Sequence, residues 1–290
     1  SSAASDVYKR QDKRPIGALL TIFAVVILFW GVFKLNGSAL NTWADRYTDR
    51  EIKGNTQAVF NGLKLAKEVE YKKDSVELYD ASFRIQKVAG EVQKTVDYPV
   101  YFRNVAKDKL PEEGSKVSLW ATNLSQSINP GWVIILTPLV VAFFTFLRGR
   151  KKEPSTPTKI AFGLLISALS VLVMIAAVNM GANGTEKVSV WWLVANYGVI
   201  TIGELFLSPM GLSVVSKLSP TNITSLMMGG WFLATSIGNK LSGVLASLWD
   251  TYDNKQDFFW INFGLLLFAT LLMFLLLKQL NKVMQEKGIH

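Results

Sequence analysis

A single carboxylate stands inside a long apolar stretch of this chain. Glu204 lies within Val188–Val215, where almost every other residue is apolar or small. A carboxylate at membrane depth costs about 2.5–3.5 kcal/mol on insertion scales, so it marks a functional site by default. It is tolerated there when it faces water, pairs with a cation or holds a proton. These arrangements suit a protein that moves protons or solutes, although a structural carboxyl bonded to a neighbouring helix is the plainer alternative.

Further polar residues share one helical face with this carboxylate: Tyr197, Thr201, Glu204 and Ser208. Their spacings of four, three and four residues place them on the same side of a helix. A second apolar stretch carries Asn129 directly before Pro130, which cannot donate to the hydrogen-bond ladder of a helix. We therefore expect a kink at Pro130 and a cavity towards which Asn129 points.

A third apolar stretch carries a cation. Lys34 is the only cation of that stretch that cannot easily reach the interface, so it is expected to face the interior or a partner. Trp30 lies one helical turn earlier and can place its ring beside the ammonium. A tryptophan alone more often packs than contacts a ligand. Lys34 is therefore predicted to be a gate residue or a charge partner, with Glu204 as the expected acid.

These residues lie on stretches long enough to cross a bilayer, which takes about 20 apolar residues. Half of the residues are hydrophobic, and helices satisfy their own backbone in lipid, so an all-α integral membrane protein is predicted. The six predicted spans are Pro15–Ala44, Leu119–Leu147, Ile160–Met180, Val188–Val215, Thr224–Leu248 and Phe258–Leu277. The fifth span carries a small residue at every fourth position, which predicts tight helix packing. The stripe consists of Gly230, Ala234, Gly238, Ser242 and Ala246.

Lysine and arginine residues predict the orientation of the spans. They cluster beside one set of span ends, as in Arg148–Lys152, whereas the two short loops on the other side hold only Lys187 and Lys255. Positive loops face the cytoplasm, so both termini are expected there, in a multi-pass protein of the inner membrane. Six spans with both ends inside correspond to half of a twelve-span carrier.

The chain divides into four segments. Residues 1–11 read SSAASDVYKRQ and look like a translated sequencing adapter, so the protein is expected to continue upstream of them. Residues 12–44 hold the first span, 45–118 form an insertion on the outer side, and 119–290 hold the other five spans and a cytoplasmic tail. The insertion is rich in aromatic and β-branched residues, which predicts a folded unit with a strand-like stretch at Tyr98–Phe102.

The composition excludes several kinds of site. Cysteine is absent, so the chain has no disulfide framework, thiolate metal site or cysteine nucleophile. The single histidine, His290, is the last residue, which excludes a histidine triad. Much of the net charge of +9 lies in loops beside the spans, where it sets topology, so no nucleic-acid partner is predicted. We predict no enzyme activity, no bound metal and no cofactor.

The motifs resemble those of a known family. Gly203–Leu212, GELFLSPMGL, resembles the tenth-span signature of the proton-coupled oligopeptide transporters of the major facilitator superfamily. Gln126–Pro130 resembles their eighth span, the pair Phe29 and Trp30 their seventh, and Met228–Phe232 their eleventh. The resemblance implies a six-helix bundle equal to the C-terminal half of a major facilitator fold. It also implies symport of di- and tripeptides, with the proton as coupling ion.

The resemblance implies roles for single residues. Glu204 resembles the family carboxylate that meets the peptide amino terminus and takes part in proton coupling. The residues that resemble substrate-binding positions are Asn129, Ser208, Trp231, Phe232 and Trp30. Many relatives carry an acid where this chain has Lys34, so a seventh-span acid cannot be assigned to coupling here. The peptide carboxylate is expected to bind basic residues of a missing N-terminal six-span half.

Two other classes stay open. A carrier of the same fold could move nitrate or a small metabolite, because Lys34 adds positive charge to the cavity. A membrane anchor could instead present residues 45–118 to a partner. Polar residues spread over three spans disfavour the anchor, which would have no use for them. The lipid bilayer is a partner in each case, and the mechanism expected of a carrier is alternating access around a midplane site.

Overall fold

The chain is described by a computed structural model that covers residues 2–286. The side chains of residues 2–13 and of Asn36 are not described, so the predicted adapter segment 1–11 has no described side chains. Residues 287–290, which include the single histidine, lie outside the described part of the chain. Within these limits the protein consists of long helices and one segment of short strands.

The helices account for most of the described chain. They are α1 (Ser2–Phe33), α2 (Ala39–Arg46), α3 (Asn55–Gly62), α4 (Ser125–Gly149), α5 (Thr156–Met180), α6 (Trp191–Leu218), α7 (Thr224–Ser247) and α8 (Lys255–Glu286). Among residues 2–286, five helices are long and apolar enough to cross a membrane, namely α1, α4, α5, α6 and α8. The fifth predicted span is the 24-residue helix α7, which is long enough but is not one of these five.

The first predicted span is not one continuous helix. α1 ends at Phe33, a 3₁₀ turn covers Lys34–Gly37, and α2 begins at Ala39. Ser38, between the two helices, has φ −128° and ψ −89°, which is outside the helical region. The residues at this point are Asn36, Gly37 and Ser38, which favour turns and interrupt the run of apolar residues. Lys34 therefore lies at a break between helices.

The second span also begins later than predicted. Leu119 belongs to a strand, Lys116–Trp120, and α4 starts only at Ser125. The apolar residues of this strand are followed closely by those of α4, so hydropathy alone does not separate the strand from the helix. The strand predicted at Tyr98–Phe102 is likewise wrong, because a 3₁₀ turn covers Val100–Asn104. Pro99 precedes that turn with φ −51°, and its ring fixes this angle and removes a ladder donor.

Residues 47–124 form a folded unit between α2 and α4, here called the β segment. Its strands are β1 (Ala66–Glu70), β2 (Asp74–Glu77), β3 (Lys87–Val88), β4 (Glu91–Val92), β5 (Lys94–Asp97) and β6 (Lys116–Trp120). They form three antiparallel pairs, β1 with β6, β2 with β5 and β3 with β4. In the first pair Ala66 lies opposite Trp120. A small core of its own contains Tyr101, Phe102, Val117 and Leu119.

The β segment is fixed to the helix ends around it. The amide of Asp49 donates to the carbonyl of Val188 at 2.8 Å, and the amide of Val188 donates to that of Tyr47 at 2.9 Å, which ties the segment to the loop before α6. On the other side Arg84 donates to the carbonyl of Asp250 at 2.9 Å, just after α7. The segment therefore contacts the ends of several helices of the bundle.

α5 and α6 approach closely where two glycines meet. A Cβ on Gly163 would lie 2.8 Å from the carbonyl oxygen of Gly203, and a Cβ on Gly203 would collide with Oγ of Ser167. Ser167 is fully buried, and its hydroxyl donates to the carbonyl of Gly163 at 2.8 Å. This contact lies directly beside Glu204 and fixes how α6 presents that carboxylate to its neighbours.

The small-residue stripe of α7 packs against α1. A Cβ on Gly230 would lie 2.8 Å from the ring of Phe23, and a Cβ on Gly238 would lie 2.6 Å from Cβ of Trp30. Two other members of the stripe, Ala234 and Ser242, are buried. The prediction of tight packing along this stripe is confirmed, and α1 is the helix that the stripe contacts.

Candidate functional site

Polar side chains of α4 and α6 meet at Glu204, near the middle of α6. Nδ2 of Asn129 donates to Oε2 of Glu204 at 3.2 Å and to the hydroxyl of Thr201 at 2.8 Å. The Thr201 hydroxyl donates in turn to the carbonyl of Tyr197 at 2.6 Å. Glu204 is half-buried, so it stays accessible from one side. The carboxylate is held by a neutral amide, which leaves it able to take a proton or a cation.

A line of polar contacts continues from this cluster towards the β segment. The hydroxyl of Tyr197 hydrogen-bonds to Ser125, the first residue of α4. The Ser125 hydroxyl donates to Oδ1 of Asn41 in α2 at 3.1 Å. Ser125, Tyr197 and Thr201 are all fully buried. Polar contacts therefore connect α2, α4 and α6, and Glu204 lies at one end of them.

Lys34 does not form an ion pair with Glu204 in this structure. Its ammonium lies 5.2 Å from the ring centroid of Trp30 and 5.8 Å from that of Phe33, and its side chain is exposed. Among the described residues no carboxylate oxygen lies within 4.0 Å of it. It is still near enough to act on Glu204 electrostatically. The predicted contact between Lys34 and the ring of Trp30 is present.

The other predicted binding residues lie in different surroundings. Trp30 and Trp231 are buried, the former against Phe29 and Phe33 and the latter edge-on to Phe23. Trp231 also covers Gly211 of α6, where a Cβ would collide with its ring. Phe232 points out of the bundle and is 60% exposed, and Ser208 is half-buried one turn after Glu204. The structure thus joins Asn129 to Glu204 directly and places both tryptophans in helix packing.

Three residues of the site were not predicted: Ser125, Asn41 and Trp132. The indole of Trp132 donates to the carbonyl of Val194 at 2.9 Å and lies against Gly198. Ser125, Asn129 and Trp132 are spaced by four and three residues, so they share one face of α4. That spacing is present in the sequence inside the predicted span Leu119–Leu147, where Asn129 is the only one of the three predicted as a site residue.

The sequence matches known proteins over the part that carries this site. Residues 121–261 match the profile described as PTR2, the POT family. Dipeptide and tripeptide permease A of Proteus mirabilis is 36% identical over 132 residues, which are 46% of this chain and 26% of that protein. The peptide transporter YePEPT of Yersinia enterocolitica is 38% identical over 121 residues, 41% of this chain and 24% of that protein.

The POT family is therefore the family that residues 121–261, just under half of the chain, resemble. Members of this family are transporters and not enzymes, and the predicted resemblance to the family is confirmed over this segment. The segment that matches includes α4, α5, α6 and α7, and hence both Asn129 and Glu204. The chain spans about a quarter of the length of the curated relatives that it matches.

Solved structures share the fold of this chain. A peptide transporter POT in complex with sulfate superposes with a TM-score of 0.62 at 22% identity, covering 94% of this chain and 42% of that one. A POT family transporter in complex with a thioalcohol-conjugated peptide gives 0.62 at 20% identity, covering 93% and 42%. At these identities the likeness shows the fold alone, and the chain covers about two fifths of each solved protein.

Proposed function

We propose that this chain is the C-terminal half of a carrier that takes up di- and tripeptides together with protons. The carrier works by alternating access, in which two six-span halves rock around a site at mid-membrane. The observation that carries the proposal is the half-buried carboxylate of Glu204, held by the amide of Asn129 between α4 and α6. The peptide-transporting relatives and the shared fold support it.

Glu204 has the chemistry for both coupling and binding. When ionised, its carboxylate binds the ammonium of a peptide amino terminus, and Asn129 holds one oxygen in place for this contact. When protonated, it releases a cation partner and lets the gate move, while the other site residues still hold the peptide. The proton and the peptide therefore cross the membrane together, as symport requires. No cofactor takes part, because the proton itself is the coupling ion.

The remaining site residues serve the peptide in this proposal. Asn129, Ser208, Trp231, Phe232 and Trp30 line the substrate path. Trp30 and Trp231 lie in the contact between α1 and α7, so they meet substrate only after these helices separate. Lys34, exposed at the α1–α2 break, serves as a gate residue towards the missing N-terminal half or as a charge partner of Glu204.

The carrier lies in the inner membrane with both termini in the cytoplasm. α7 also crosses the membrane, which brings the number of spans to six. It is sheltered along one side by α1, which explains how it tolerates its glycines and serines in the membrane. The arginines and lysines between α4 and α5 then face the cytoplasm, and the β segment lies on the outer side. This orientation places the polar contacts that run from Glu204 to Asn41 towards the outside.

Uptake in proteoliposomes tests the proposal. The 290-residue chain alone is expected to show no proton-driven uptake of dialanine above empty liposomes, because half of the cavity is missing. The chain joined to its upstream half is expected to accumulate dialanine when the outside is acidic. Accumulation of nitrate with no inhibition by dialanine would favour a carrier of another solute. Transport of neither, with retained folding, would favour the membrane anchor.

A further inference from the structure

A second cleft lies at the junction of the β segment and the loop between α5 and α6. Its volume is about 350 Å³, and none of its lining residues belongs to the cluster around Glu204. Its apolar wall includes the buried side chains of Tyr101 and Val117. Its charged residues balance one another in sign: Asp49, Glu51 and Glu186 against Lys53, Lys109 and Lys187. The cleft thus combines both charges with an apolar surface.

Lys187 is the unusual member of this cleft. Its ammonium donates to the carbonyl of Arg46 at 3.1 Å and lies 4.2 Å from the ring centroid of Tyr101. Among the described residues no carboxylate oxygen lies within 4.0 Å of it. A half-buried ammonium without a counter-ion is costly, so a carboxylate entering the cleft would gain a strong partner.

The acids of the cleft define the rest of the ligand. Glu186, beside Lys187, is exposed, and Asp49 accepts hydrogen bonds from the Tyr101 hydroxyl at 2.9 Å and the Glu51 amide at 3.1 Å. Glu51 already pairs with Lys53 at 2.8 Å. Glu186 has no ion pair among the described residues, so it is the acid that can accept an ammonium. The matching ligand therefore carries one carboxylate and one ammonium.

We propose that this cleft binds a small zwitterion, a short peptide or a free amino acid, with its carboxylate on Lys187 and its ammonium on Glu186. The assignment comes from the charges of the cleft and does not require the transport cycle. If the proposed function holds, however, the ligand class is the same as that of the cargo. The cleft is then a site on the β segment where peptides are held near the carrier.

The protonation of Lys187 gives the site a pH dependence. Burial, followed by the charge of Arg50, lowers the pKa of Lys187 to about 7, while Asp49 and Asp45 act in the opposite direction. Glu186 precedes it in the chain and the ring of Tyr101 faces its ammonium. A ligand carboxylate favours the protonated amine. Affinity is therefore expected to rise as the pH falls through the pKa of about 7.

Equilibrium dialysis of the 290-residue chain in nanodiscs with labelled L-alanyl-L-alanine tests the site. The measurement is made one pH unit below and one pH unit above the pKa of Lys187. The chain carries Glu204→Gln, so that peptide binding at the cluster around Glu204 does not contribute. Lys187→Met is expected to weaken binding at the lower pH by about tenfold, equal to 1.4 kcal/mol, and to abolish the pH dependence. Lys187→Arg keeps the charge and should retain binding. Lys107→Met, on an exposed residue outside the cleft, is the matched control.

Glu186→Gln provides a second variant, because this exposed residue can change without disturbing the fold. It is expected to weaken dialanine binding but not propionate binding, since propionate has no ammonium. Free L-alanine as a third probe shows whether a peptide bond is needed. Wild-type binding in both Lys187→Met and Glu186→Gln, or no saturable dialanine binding at all, would overturn the proposal. Failure of transport in the restored carrier, with cleft binding intact, would overturn the proposed function alone.

Discussion

The amide of Asn129 holds the carboxylate of Glu204 across two helices, at 3.2 Å between Nδ2 and Oε2. The same Nδ2 donates to the hydroxyl of Thr201 at 2.8 Å, so the orientation of the amide is fixed by α6 itself. A shift of α4 along α6 would change the surroundings of the carboxylate. Asn129 therefore couples the charge of Glu204 to the position of α4, in addition to its proposed contact with substrate.

Replacing Glu204 by Gln in the restored full-length carrier removes the titratable group and keeps the shape. We expect gradient-driven uptake of dialanine to collapse, because net uptake requires the proton cycle. Counterflow exchange should fall much less, because exchange of peptide for peptide does not need that cycle. Asp108→Asn, an exposed carboxylate on the β segment, is the matched control. Normal pH-dependent accumulation by Glu204→Gln would disprove the coupling role.

Thr201→Val tests whether the Thr201 hydroxyl positions the Asn129 amide. The change removes one acceptor of that amide, and a hydrogen bond of this kind contributes about 0.5–1.5 kcal/mol. Uptake by the restored carrier should therefore fall about two- to tenfold, with a steeper loss in Asn129→Ala. Thr235→Val is the matched control, because Thr235 makes the same type of bond to a backbone carbonyl within α7. Equal uptake by the two threonine variants would show that Thr201 has no positioning role.

The cluster on α6 was predictable because helical spacing is a local property of the sequence. Residues 197, 201, 204 and 208 share a face in any α-helix, and the structure has one there. The contact between Asn129 and Glu204 depends on how α4 packs on α6. Two separate apolar stretches do not encode that packing, so the sequence indicated a shared cavity but not the hydrogen bond.

Errors arose where turn and strand chemistry interrupt an apolar run. Lys34–Gly37 lies between two apolar stretches that merge in a hydropathy profile, so the break after α1 was missed. Leu119 lies in strand β6 with only 1% of its surface exposed, because its side chain packs in the core of the β segment. Its apolar character alone predicts the start of a helix equally well. Cross-strand pairing such as Ala66 with Trp120 joins residues far apart in the chain. Local patterns cannot show such a pairing.

A double-mutant cycle tests the electrostatic relationship between Lys34 and Glu204. They form no ion pair in this structure, and neither side chain has another ion-pair partner among the described residues. If they pair in another state of the carrier, Lys34→Ala with Glu204→Gln should deviate from additivity in stability by about 0.5 kcal/mol or more. Chemical denaturation of the restored carrier in detergent gives the free energy of unfolding of the wild type, the two single variants and the double variant. Strict additivity would leave Lys34 as a gate residue facing the other half.

Arg50→Met is expected to release one edge of the β segment. Arg50 is 7% exposed and donates to Oδ1 of Asp45 at 2.8 Å and to the carbonyl of Trp120 at 3.1 Å. Removing it deletes two part-buried hydrogen bonds, one of them to a charged carboxylate, which costs about 1–3 kcal/mol. Hydrogen exchange should accelerate in β1 and β6 while α5 and α6 stay protected. Lys53→Met, which breaks an exposed pair with Glu51, is the control and should change little. Unchanged exchange in Arg50→Met would show that other contacts hold the segment.

The loop between α4 and α5 is expected to lose stability in acid because of Glu153. Its carboxylate accepts from Arg148 at 2.6 and 3.0 Å and from Lys159 at 2.5 Å, and Lys159 is buried with its ammonium 4.5 Å from the ring of Phe144. Hydrogen bonding from Arg148, followed by that from Lys159, lowers the pKa of Glu153 from 4.5 to about 2.

Since the folded pKa of Glu153 is depressed, its contribution is complete above about pH 4.5 and is lost as the pH falls towards 2. The loss should be about 1–3 kcal/mol, reduced by the exposure of Arg148. Glu153→Gln should show faster hydrogen exchange at the start of α5 near neutral pH, together with a smaller acid-induced increase than wild type. Glu286→Gln breaks an exposed pair with Arg14 at 3.4 Å and is the matched control. An equal acid response in wild type and Glu153→Gln would show that the network does not stabilise this loop.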